Sequence, residues 1–234
     1  MQSALRRVLP VLLVLAGPTL AQTRDDGGIW GMWFTQGRFG AADSELGAWR
    51  WSADLQPRWS DDGEHYSTTL LRPGLGYALS DRVSLWAGYT WIHNDPIGGT
   101  AFVGQDVWQQ LLWNVPVAGV TLTSRTRLEQ RFREDFGETG WRLRQFVKAT
   151  LPIAADGDLF LAAFDEVLHD VNDTAWGQRT GMRDNRAFAG LGWKFDAGGG
   201  GSGAIEIGYL NQWLDRPGTD AMNHLLAINL FLNF

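Results

Sequence analysis

Arg125, Arg127, Arg131 and Arg133 fall at every second position around an acid, Glu129, in the stretch VTLTSRTRLEQRFRE from Val120 to Glu134. Residues spaced by two share one face of a β-strand, so the five charges form one stripe. The next segment repeats the device: Arg142, Arg144 and Lys148 share one face of Gly140–Pro152, and Trp141, Leu143, Val147, Ala149 and Leu151 share the other. Arg186 and Lys194 extend the basic set, and Glu166 and Glu206 join Glu129 as the acids placed to answer it. Such a ladder has two chemical uses. Its N–H donors can hold anions, as rings of Arg and Lys do in anion pores. Or it can pair with carboxylates and fill a narrow interior, which is the plainer use.

Other chemistry is weaker. The four histidines, His65, His93, His169 and His224, lack metal-ligand spacing. Ser67 lies near His65, which raises a membrane-embedded lipase or deacylase as the alternative reading, but no third partner stands out. Asp170, Asn172 and Asp173 offer three oxygen donors without the rest of a calcium loop, so they read as a solvated acidic loop. The run Gly198–Gly203 is followed by neither Lys-Ser nor Lys-Thr and reads as a turn, not a phosphate cradle. No metal, cofactor or catalytic residue is assigned.

The elements that must carry the ladder are strands. Eleven segments alternate apolar and polar residues: Ile29–Arg38, Ala48–Trp59, Tyr66–Leu79, Val83–Ile92, Asp106–Val115, the ladder pair, Leu159–His169, Arg186–Phe195, Ala204–Leu214 and Asn223–Phe234. Leu159–His169 does not declare its facing, because Asp165 and Glu166 occupy both parities. From Tyr77 onward the connections alternate short and long, the habit of outer-membrane barrels. In the last segment Leu226, Ile228, Leu230, Leu232 and Phe234 make one apolar face that ends on an aromatic residue. That face is expected to meet lipid, and the strand itself to be what the barrel assembly machinery recognises.

Composition points the same way. Thirteen Trp and 29 Gly accompany a mean hydropathy of −0.19. Tryptophan at that density suits girdles at two membrane interfaces, and no long apolar run beyond the N-terminus supplies a spanning helix. Met1–Ala21 joins Arg6 and Arg7 to an apolar run and a Thr19-Leu20-Ala21 ending, the pattern of a secretory signal peptide, with residues 22–234 as the barrel domain. The chain has no Cys, so its stability does not come from disulfides, and a net charge of −6 argues against nucleic acid.

Several stretches are similar to one family of bacterial outer-membrane proteins, the domain of unknown function numbered 2490. They are Gln56–Arg58, Leu70–Tyr77 (LLRPGLGY), Arg125–Arg131 (RTRLEQR), Trp141–Phe146 (WRLRQF), Asn185–Gly192 (NRAFAGLG) and Gly208–Trp213 (GYLNQW). The chain departs from the family pattern at Val107–Gln110, where an acidic-His-Arg start is replaced by Val-Trp-Gln-Gln. The resemblance implies a fold and a location, and no reaction.

The reading is an all-β, antiparallel, up-and-down transmembrane barrel in the bacterial outer membrane. Single-chain bacterial barrels have even strand counts. Eleven segments therefore imply twelve strands if one segment hides another, or ten if Ile29–Arg38 does not cross; twelve is adopted. The role is an anion-favouring channel for a small anionic solute or a structural barrel with a charge-filled lumen. Lipid and the assembly machinery are the expected partners.

Overall fold

Every segment of alternating pattern forms a strand. The structure, a computed structural model, describes residues 24–134 and 136–234, so the signal-peptide expectation for Met1–Ala21 lies outside the described residues. The strands are β1 (Arg24–Arg38), β2 (Trp49–Ser60), β3 (His65–Ala78), β4 (Val83–Asn94), β5 (Phe102–Val117) and β6 (Val120–Arg133). They continue as β7 (Gly140–Pro152), β8 (Leu159–Asp170), β9 (Gly181–Gly198), β10 (Gly201–Leu214) and β11 (Ala221–Asn233). Consecutive strands pair antiparallel, and β1 closes the barrel against β11.

Among the described residues the barrel has eleven strands, not twelve or ten. With an odd number, the first and last strands run in the same direction, so the closing ladder is parallel, from Arg24 opposite Ala221 to Gln36 opposite Asn233. The evenness rule presumes an antiparallel seam. A parallel seam of thirteen facing residues satisfies the edges of both strands without it. The first strand is a full strand of the barrel, and Arg24 and Phe234 lie at opposite ends of it. Connections 61–64, 95–101, 171–180 and 215–220 gather with Arg24 at what we call the loop end. Connections 118–119 and 199–200 sit at the other, the turn end. Both are two-residue turns with positive φ at each position, Ala118 (50°) and Gly119 (89°), then Gly199 (60°) and Gly200 (80°). That is the geometry whose twist matches a hairpin.

Register sorts side chains by parity, because a one-residue slip would turn every residue to the other face. Leu71, Leu75, Leu85, Leu111, Val147, Leu161, Leu191 and Ile207 are outward and exposed, as are Leu226, Ile228 and Phe234 of the last segment; Leu230 and Leu232 share their face. In β8 the ladder puts Glu166 opposite Phe146 and Arg186, all inward, and Asp165 opposite Val147, outward. The outer wall of β5–β9 also carries polar pairs. Gln109 and Gln130 exchange hydrogen bonds, Thr126 donates to Gln145, and Asn185 donates to Asp165.

The interior is not uniformly polar, which corrects the expected polar lumen. Phe160, Ala162, Phe188, Leu210, Leu225 and Ala227 form an apolar cluster on the β8–β11 side, with Trp30 and Phe164 packed against it. Large rings fit because glycines face them across the ladder: Gly76 opposite Trp86, Gly88 opposite Trp108 and Gly192 opposite Phe160. A Cβ at these glycines would lie 2.5, 2.2 and 2.1 Å from the respective ring. The remaining side of the lumen is left to charge.

Candidate functional site: the charged interior

Strands β6 and β7 deliver the ladder to the lumen because their inward parities are odd and even respectively, and the hairpin matches them, Arg127 opposite Arg144 and Glu129 opposite Arg142. Two rows of like charge facing across a ladder repel. They are stable here because acids from other strands intercalate. Arg144 donates to Glu129 at 2.7 Å and, bidentately, to Glu166 of β8 at 2.9 and 3.1 Å. Arg125 reaches the same Glu166 at 2.6 Å, and Arg186 of β9 approaches it at 3.5 Å while binding Asp184 at 2.6 Å. Arg142 forks onto Asp170 at 2.6 and 3.2 Å. Lys148 pairs with Glu206 of β10. Arg131 sits 3.7 Å from Asp106 and 3.9 Å from Asp170, and it donates to Gln178.

The structure thus brings together Arg125, Arg127, Glu129, Arg131, Arg142, Arg144, Lys148, Glu166, Arg186 and Glu206. It leaves two ladder members at the rims. Arg133 lies over the Phe102 ring at 3.9 Å and donates to the Trp176 carbonyl, and Lys194 is exposed and donates to the Gly157 carbonyl.

The acids of the interior go beyond Glu129, Glu166 and Glu206. Asp106, Asp170 and Asp184 belong to the same interior, and Asp54 clamps Arg72 at 3.0 Å. The alternating pattern ends at His169 and resumes at Arg186, which leaves Asp170 and Asp184 between strands. Here β8 runs to Asp170 and β9 starts at Gly181, so both are inward strand residues. Asp54, Arg58 and Arg72 do lie on the polar parity of their strands, which is the signal that marks them.

Aromatic rings complete the arrangement. Arg58 stacks over Trp30 at 3.8 Å, Arg127 over Trp108 at 4.4 Å and Arg125 over Phe146 at 4.5 Å. Each contact stabilises a guanidinium in a place with little water. Two cavities flank the network. One of about 340 Å³ opens toward the turn end, and one of about 210 Å³ toward the loop end. Arg58, Arg72, Arg144 and Arg186 line both, so these four arginines form a septum between them.

The other sequence candidates do not assemble. Ser67 donates to the Arg58 carbonyl, and His65 Nε2 bonds the Asp95 carbonyl, so the two are not paired with each other. His224 bonds the Tyr209 hydroxyl on the outer wall. Asp170 is held by Arg142, whereas Asp173 accepts two hydrogen bonds from Thr180 in the 171–180 loop. Those bonds hold the Asp173 carboxyl below the usual aspartate range. Among the described residues no group of three His, Asp or Glu converges as a metal site would.

The profile of the family described as "Protein of unknown function (DUF2490)" matches residues 27–223 of this barrel. The chain belongs to that family. An uncharacterised protein of Methylorubrum extorquens is 30% identical over 206 residues, which is 87% of each chain. No solved structure matches. Within this DUF2490 barrel the matched span runs from β1 through β10 to the start of β11, so it includes the whole charged interior.

Proposed function

We propose that this DUF2490 chain is an exported outer-membrane barrel with a structural role, its lumen closed by an ion-paired septum rather than open as a pore. The observation that carries the closed lumen is the septum. Arg58, Arg72, Arg144 and Arg186 stand between the two cavities, and the last three are tied to buried carboxylates of Asp54, Glu129, Glu166 and Asp184. A septum held by several buried ion pairs does not part without leaving charges unpaired, which costs several kcal/mol.

Membrane residence is supported by the outer wall. Exposed Leu, Ile and Val residues cover its middle, and aromatic pairs sit near both ends, Trp49 with Tyr77 at the turn end and Trp59 with Tyr66 at the loop end. This is the distribution of a lipid-facing barrel with two aromatic girdles. The signal-peptide pattern of Met1–Ala21 supplies the export route.

Two measurements test the proposal. Fractionation of expressing cells should place the chain with outer-membrane lipid, and recovery as a soluble periplasmic protein would overturn membrane residence. The purified barrel in a planar bilayer should carry no sustained current. A steady conductance would overturn the closed lumen. In that case the excess of inward Arg and Lys predicts anion preference in the reversal potential.

A further inference from the structure

The larger cavity holds more positive charge than its acids can answer. Two carboxylates line it, and both are taken: Asp54 by Arg72, and Glu166 by Arg125, Arg144 and Arg186. Among the described residues, two lining arginines have no carboxylate within hydrogen-bond distance. Arg127 is 4% exposed; its Nε and Nη2 share one neutral acceptor, Gln110 Oε1, at 2.9 and 2.7 Å. Its Nη1 has no hydrogen-bond partner, the nearest carboxylate oxygen being Glu129 Oε1 at 3.7 Å. Arg58 likewise donates from Nη2 to the neutral Gln56 Oε1 at 2.8 Å, and its buried Nε has no partner.

A guanidinium does not discharge by losing its proton, so burial leaves each of these two charges standing. Stacking on Trp108 and Trp30 offsets part of that cost but supplies no acceptor for the free N–H groups. The indole Nε1 of Trp108, itself 2% exposed, is a further buried donor without a partner. Among the described residues the lining offers these N–H groups no charged acceptor. The cavity's volume of about 340 Å³ is in the range of small-ligand pockets. The planar N–H fork of arginine matches carboxylate and phosphate oxygens better than a spherical ion.

We propose that the turn-end cavity is a binding site for a small oxyanion of the carboxylate or phosphate class, held by Arg127 and Arg58 against the septum. The aromatic walls give an organic acid a flat surface to lie on, and the free N–H groups take its oxygens. The site deepens the closed-lumen reading, since the ligand sits against the septum, but its test is independent of conductance.

Calorimetry on the full-length mature barrel in detergent, at constant ionic strength, tests it with three probes: inorganic phosphate, benzoate and chloride. Saturable binding of phosphate, benzoate or both is expected, at least tenfold tighter than that of chloride. Phosphate alone points to a free inorganic anion, and preference for benzoate to an organic acid. Arg127→Gln and Arg58→Gln should each weaken binding at least tenfold. Arg183→Gln, whose arginine pairs with Asp215 away from both cavities, should leave it unchanged. Where a Gln variant does not fold, Arg127→Lys keeps the charge without the fork and should still lose most of the affinity. The wild-type melting midpoint should rise with the bound probe relative to equal ionic strength of chloride. No saturable binding to the wild type, or equal binding in both Gln variants, overturns the site. A conducting barrel that binds the probe removes the closed lumen and keeps this site; a non-conducting barrel that binds none does the reverse.

Discussion

Glu129 stands directly opposite Arg142 in the β6–β7 ladder, yet the hydrogen bond it accepts comes from Arg144, on the diagonal, at 2.7 Å. Arg142 is drawn away by the bidentate bond to Asp170, which frees Glu129 for Arg144. Arg144 then bridges Glu129 and Glu166, so one guanidinium ties β6 to β8 across β7.

Glu129→Gln should therefore unfold earlier than the wild type. The carboxylate is 2% exposed, so solvent screens it little, and its loss leaves Arg144 and Arg127 short of a counter-charge. Breaking one partner of a buried pair costs about 3 kcal/mol. Glu138→Gln, at an exposed residue whose side chain accepts from the Ala175 amide, should not move the midpoint. Urea unfolding in detergent or lipid compares the two, and equal midpoints would remove Glu129 from the centre of the network.

Ile228 is outward in the middle of β11 and 37% exposed. If that wall meets hydrocarbon, Ile228→Arg should cost about 2–4 kcal/mol in lipid vesicles. Wild-type stability of the variant in vesicles would show that this face does not lie in the bilayer.

Asp165 is the outward acid of mid-β8, bonded by Asn185. Replacing both together, Asp165→Leu with Asn185→Ala, removes a polar pair from the outer wall without orphaning either member. An acid at mid-depth is penalised less than an arginine, so a gain of about 1–2 kcal/mol in vesicles is expected. A loss of stability would mean that water or another polar surface covers this wall.

Gly88 leaves space for the Trp108 ring, which in turn supports Arg127. In Gly88→Val the new Cβ would meet the ring at 2.2 Å and the Pro73 carbonyl oxygen at 2.5 Å, so the backbone blocks the alternative route. Overpacking of this kind costs about 1–3 kcal/mol. Gly137→Ala, where a Cβ would have nothing within 4 Å, serves as the control. Equal urea midpoints for the two variants would contradict the packing argument.

Asp173 accepts from both the amide and the hydroxyl of Thr180, which lowers its carboxyl below the usual value of about 3.9. A lowered carboxyl contributes its support above the unfolded-state value and loses it as pH falls through the folded one. The Thr180 amide should therefore stay protected from hydrogen exchange at neutral pH and lose protection only below about pH 4. In Asp173→Ala it should be unprotected throughout. Protection in that variant would mean that the carboxylate does not hold the loop.

Local pattern determined much of this molecule. The parity of Val120–Phe132 and Gly140–Pro152 placed the basic ladder on one face, and the terminal residues Leu226 to Phe234 declared theirs, because side-chain direction in a strand depends only on position along the chain. The eleven alternating segments were legible for the same reason. What the alternation could not carry was anything that depends on a distant strand. The parallel seam of β1 with β11 decided the strand count, and pairing with β7 and β9 decided that Glu166, not Asp165, enters the lumen. The counter-ions Asp106 and Asp170 come from the neighbouring strands β5 and β8, and the choice of Arg144 over Arg142 for Glu129 turns on where Asp170 lies. Ion pairs form between atoms brought within about 3 Å, and only closure of the barrel, with its register, sets those distances.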